Sequence, residues 1–114
     1  MNGETSAVVT VLTTAPDAQV AETLGRTLVE ERLAACASVI PGVQSIYWWE
    51  GEVQVAGEAM VLLKTTVERA DSLTARMVEL HPYDVPEVLT LPVTGGHEPY
   101  LSWVGAEVGD PHAS

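Results

Sequence analysis

Apolar and polar positions along this chain change period several times, and each change marks an element. Ala7-Val8-Val9-Thr10-Val11-Leu12-Thr13-Thr14 is rich in β-branched residues and predicts a mostly buried strand. Ala15-Pro16-Asp17 stops it, with Asp17 placed to cap a helix. Val20, Leu24 and Leu28 then recur every four residues, with Ala21 and Leu33 widening the stripe, so Asp17 to Leu33 reads as that helix. Glu22, Arg26, Glu30, Glu31 and Arg32 fall on its outer face. A long extended region comes next. Ala35 to Ile40 is a strand, Pro41-Gly42 bends or bulges it, and Val43 to Trp49 continues it. Glu50-Gly51 is a two-residue turn with glycine where φ is positive, and Glu52 to Ala56 returns antiparallel. After a break at Gly57, Ala59-Met60-Val61-Leu62-Leu63 is apolar on both faces, the mark of a central strand. Thr65-x-x-Glu68 has the form of a capping box and opens a second helix, with Ala70, Leu73, Met77 and Leu80 on one face. Val88 to Val93 makes a last strand, which Pro92 confines to an edge. Glu98 to Val108, anchored by Tyr100, Leu101, Trp103 and Val104, closes the chain as a short helix.

The order β-α-β-β-α-β plus a terminal helix, with the two most apolar strands first and third, predicts an α+β, ferredoxin-like sandwich. One domain is expected over 1–114, with its core at 7–108 and flexible ends at 1–6 and 109–114. The hairpin from Val43 to Ala56 is long for so small a domain. Alternation puts Ile46 and Trp48 on one of its faces and Tyr47 and Trp49 on the other. A single copy would leave one set in water, so these four residues are expected at the interface of a homotrimer.

Composition narrows the partners. Sixteen acids against five basic residues give a net charge of −11 and a pI near 4.4. So acidic a surface repels phosphate backbones and anionic lipid, which argues against nucleic acid and membranes as partners. Cys36 is the only cysteine, so neither an intrachain disulfide nor a cysteine cluster for zinc can form. The apolar run Ala7 to Leu12 is too short for a signal core or a membrane span, and the reading is cytoplasmic.

Chemistry concentrates in His81-Pro82-Tyr83-Asp84-Val85-Pro86-Glu87, where two prolines stiffen an extended connector between helix and strand. His81 can ligate a metal, or it can cap the helix before it through free carbonyls. Tyr83, Asp84 and Glu87 offer oxygens to a hard cation, though solvated rim charges are the default for such groups. Cys36 is a soft donor for Cu(I), but a lone cysteine in an apolar strand is more often a small hydrophobe, and only Arg32 lies near in sequence to stabilise a thiolate. Lys64, the one lysine, can hold an anionic ligand in a cleft or form an ion pair with Glu58, Glu87 or another carboxylate. No nucleophile–base pairing or phosphate loop is visible, and no enzymatic activity is expected.

Leu33-Ala34-Ala35-Cys36-Ala37, Tyr47-x-Trp49-Glu50-Gly51, Lys64-Thr65, His81-Pro82-Tyr83-x-x-Pro86-Glu87 and Tyr100-Leu101-x-Trp103, taken together and in order, resemble the CutA divalent-cation-tolerance family over about residues 7 to 108. The resemblance implies a ferredoxin-like fold in a tight cytoplasmic homotrimer, similar in architecture to the PII signalling trimers. It implies a role in tolerance of copper and other divalent metals, with no tightly bound cofactor. Some members carry cysteine where this chain has Thr13, and a second histidine where it has Leu80; with the equivalent of His81 these are recorded as copper ligands. Of the three only His81 stands here, so weak metal binding is expected. The alternative is a PII-like signalling module that binds a small anion in inter-subunit clefts near Lys64. A third reading is a rigid assembly scaffold for another protein.

Overall fold

The computed structural model describes residues 7–109; apart from Gly109, the expected flexible ends lie outside them. The elements run β1 (Val8–Ala15), α1 (Ala18–Glu30), β2 (Cys36–Trp49), β3 (Glu52–Thr66), α2 (Val67–Leu80), β4 (Val88–Pro92) and α3 (Glu98–Glu107). The sheet order is β2-β3-β1-β4, and every pairing is antiparallel. The first and third strands are thus central, as the apolar runs required, and β4 with its Pro92 is an edge.

Helix α1 starts as expected, the Val20 N–H donating to Asp17 Oδ1 at 2.8 Å. It ends three residues before Leu33, at Glu30. Arg32 takes a left-handed conformation, φ 63°, and the Leu33 and Ala34 N–H groups both turn back to the Leu28 carbonyl. Gly25 lets the helix sit close on the sheet, since a Cβ there would stand 3.0 Å from the Ala37 Cβ.

Two expected boundaries are corrected. Gly57 is no break: β3 runs unbroken from Glu52 to Thr66, and Gly57 pairs with Gln44. The pairing with β2 holds the glycine extended where its own propensity would not. Thr65 is no cap either. It is still strand, its hydroxyl donates to the Leu33 carbonyl at 2.7 Å, and α2 begins after Thr66, whose side chain makes no capping bond. The irregularity expected at Pro41-Gly42 is present as a register shift between Ile40 and Val43. Both turn residues have positive φ, Glu50 at 51° and Gly51 at 81°, the conformation a tight two-residue hairpin demands.

The core lies between one face of the sheet and α1 with α2. Val11 and Ala15 of β1 and Val61 and Leu63 of β3 meet Leu24, Leu28, Leu73 and Met77. A smaller cluster, Val8 with Val104 and Val108, fastens α3 near the start of β1. The hairpin arm projects beyond this body, and the molecule measures 51 × 29 × 22 Å. Its radius of gyration is 15.1 Å, where a compact chain of this length would give about 13 Å.

Candidate functional site

The connector is held by its neighbours rather than left open. His81 follows the last turn of α2 and is 7% exposed. Its Nδ1 accepts the Tyr83 N–H at 3.1 Å, which leaves Nε2 as the protonated nitrogen, donating to the Thr14 carbonyl at 2.7 Å. Both ring nitrogens are therefore in use, and the imidazole ties the connector to β1. The side chain does not cap α2, since the carbonyl it bonds belongs to a strand and not to the helix. The two rings lie against each other, His81 and Tyr83 centroids 4.8 Å apart.

Tyr83 extends the tie to β3, its hydroxyl donating to Glu58 Oε2 at 2.7 Å. Burial, and after it this bond to a carboxylate, push the phenol well above its ordinary pKa, so it stays a donor. Thr13 completes the set. It is fully buried, and its hydroxyl donates to the Glu87 carbonyl at 2.7 Å. The Tyr83–Glu58 and Thr13–Glu87 bonds escaped sequence reasoning, which sets Glu58 and Glu87 against Lys64; for the second the signal was a polar side chain at an inward-facing position of β1. Asp84 and Glu87 have exposed side chains. Among the described residues no three His, Cys, Asp or Glu side chains gather as a metal site, so the four candidates around His81 do not come together as one.

Lys64 and Cys36 meet on the opposite face of the sheet, the face without α1 and α2. They are cross-strand partners, with Thr10 on the far side of Lys64. Lys64 Nζ donates to Ser38 Oγ at 3.0 Å and lies 3.4 Å from the Leu62 carbonyl, whereas the ion pair with Glu58 or Glu87 is not formed. Cys36 is half-buried, with Sγ 3.4 Å from the Tyr100 hydroxyl of α3. That contact, and burial after it, push the Tyr100 phenol up to about 12. Arg32 is not the thiol's neighbour, because its guanidinium turns to Glu107 at 3.0 Å. A groove of about 380 Å³ runs between α1 and the β2 edge, lined by Glu22, Arg26, Cys36 and Val39 among others, away from the connector.

The arm exposes the residues that alternation assigned to its faces. Ile46 is 64% exposed, Trp48 74% and Trp49 61%, with Tyr47 also open to solvent on the opposite face from Trp48. No helix of the described residues is long and apolar enough to cross a membrane.

Comparison with known proteins agrees with this geometry. The family model described as CutA1 divalent ion tolerance protein matches residues 9–107. The Divalent-cation tolerance protein CutA of Thermus thermophilus is 46% identical over 99 residues, 87% of this chain and 96% of that protein. The crystal structure of CutA1 from Oryza sativa superposes with a TM-score of 0.90 at 38% identity, covering 93% of this chain and 97% of that one. A protein described as the periplasmic divalent cation tolerance protein CutA of Archaeoglobus fulgidus superposes at 0.86 with 29% identity, over 90% and 99% of the two chains.

Proposed function

Because the chain belongs to the CutA1 divalent ion tolerance family, we propose that it is a non-enzymatic, ferredoxin-like homotrimer serving tolerance of divalent metals, copper among them. The observation that carries the assembly is the pair of uncovered apolar surfaces, the arm and the open sheet face. Exposed Ile46, Trp48, Trp49, Val53 and Val55 on one, and Ile40, Leu89 and Leu91 on the other, are more than a monomer keeps in water. Each surface lies at the edge of a partly paired sheet, which a second and third copy can complete.

Metal binding on this reading is weak. The imidazole of His81 has no lone pair free, Thr13 offers a hydroxyl already bonded, and Leu80 offers a hydrocarbon. What is left is a shell of exposed carboxylates on a chain of charge −11, which attracts cations without fixing them. Copper titration followed by spin resonance tests this. Affinity is expected at micromolar or weaker, about −8 kcal/mol at best, with the same spectrum for the wild type and His81→Gln. Nitrogen coupling lost in His81→Gln would restore His81 as a ligand. The CutA relatives do not support the small-anion reading. The compartment we assign is the cytoplasm, as the family resemblance implies; cell fractionation checks it.

A further inference from the structure

The face of the sheet away from α1 and α2 is largely apolar; α3 covers its Val8 end, and Thr10, Ser38, Glu58 and Lys64 are polar positions on it. Leu12, Met60 and Leu62 of the central strands and Ile40, Leu89 and Leu91 of the edges share it by register. Lys64 stands among them on β3, half-buried, and among the described residues its Nζ has only a neutral hydroxyl and a carbonyl as partners. Among the described residues three of the four arginines differ from Lys64 in having a carboxylate partner, and the fourth, Arg69, does not. Arg26 pairs with Glu22, Arg32 with Glu107, and Arg76 with Glu31 and Glu79. Arg69 is buried on α2 and reaches the Arg32 carbonyl at 3.5 Å.

In water, Lys64 is adequately solvated. Once a neighbouring copy covers the face, that water leaves, and a hydroxyl with a carbonyl cannot replace it around an ammonium. The covering surface must then bring negative charge. A second copy of this chain does so readily, with sixteen acids against five bases. The exposed carboxylates of the arm turn and the connector, Glu50, Glu52, Asp84 and Glu87, make no ion pair among the described residues. We propose that Lys64 is the charge anchor between copies, its ammonium receiving a carboxylate from the neighbouring subunit. The inference rests on the homotrimer reading and adds to it the polar contact that sets the register of the apolar faces.

Sedimentation equilibrium of the full chain tests both levels separately, with circular dichroism as the check on folding. The wild type should be a trimer at micromolar concentration, and Lys64→Met should dissociate at least tenfold more readily at pH 7.5, because the neighbour's carboxylate is left buried and unpaired. Acidification to about pH 4 protonates that carboxylate and should return Lys64→Met toward wild-type association. Lys64→Arg, which keeps the charge, should associate nearly as the wild type does. One of Glu50→Gln, Glu52→Gln, Asp84→Asn or Glu87→Gln, added to Lys64→Met, should rescue assembly at pH 7.5 and so identify the partner. A monomeric wild type overturns the trimer and this proposal together. A wild-type trimer that Lys64→Met matches at pH 7.5, or a set of double variants none of which rescues, overturns the proposal alone. Native mass spectrometry showing a small anion bound per subunit of the wild type, and lost in Lys64→Met, would also overturn it, by giving Lys64 a ligand in place of the neighbour.

Discussion

From Ala59 to Thr66, strand β3 runs between β1 and β2 with two helices over one face, and Val61, Leu63 and Thr65 are completely buried. From Glu52 to Gly57 the same strand has only β2 beside it, and Val53 and Val55 are 54% and 60% exposed. Val53 and Val55 continue, at the same alternate positions of the strand, the apolar series of Val61 and Leu63. The difference is that the first stretch is covered by other described residues of the chain and the second is not. An apolar pattern states that a side chain is to be buried; it does not state by whom. Where the chain does not supply the cover, the proposed trimer would.

Four measurements test that contrast. The largest effect on the fold is expected in the covered half: Leu73→Ala, at a fully buried position of α2, should cost about 2–5 kcal/mol in denaturant unfolding. In the arm, Trp49→Ala should leave the helix-covered body intact and weaken association by about 2 kcal/mol or more per site, read by light scattering on dilution. If dissociated Trp49→Ala chains are destabilised as much as Leu73→Ala, the arm belongs to the fold and the contrast is wrong.

Thr13→Val probes the join between body and connector. It keeps the shape and removes the donor to the Glu87 carbonyl, at a cost of about 1–2 kcal/mol for an acceptor left without a partner. Hydrogen exchange should speed up in residues 82–88 and not in the arm. Equal acceleration in both would show that connector and arm move as one unit.

The smallest effect is on the outer surface of the helices. Arg76 sits between Glu31 and Glu79, and its hydrogen bonds hold the Glu31 carboxyl below the usual range. A lowered folded pKa means the contribution is complete above the ordinary carboxylate pKa and is lost as pH falls through the folded value. Arg76→Gln should therefore flatten the acid limb of the unfolding curve slightly and leave neutral-pH assembly unchanged. Both groups face solvent, so added salt should shrink the difference.

The connector shows how far sequence reasoning reaches. That Pro82 and Pro86 stiffen a crossing from helix to strand follows from their rings alone. The role of His81 does not, because its partners are the Tyr83 N–H two residues on and the Thr14 carbonyl 67 residues back. Cys36 makes the same point: the charged residue near it in sequence is Arg32, but its neighbours in space are Tyr100 and Lys64.

The element order, the Asp17 cap, the arm turn at Glu50-Gly51, the two central strands and the family were all legible in the residues alone, since each depends on side-chain size, chirality or polarity within a few positions. Three features were not: that β3 continues through Gly57, that Thr65 bonds Leu33 in place of capping α2, and that Lys64 bonds Ser38 on a largely apolar face of the sheet. Packing settled these, and the reason is register. A hydrogen-bond partner is fixed by which strand lies alongside and by how far it has slid, and a shift of one residue turns every side chain to the other face. Local propensity carries neither quantity.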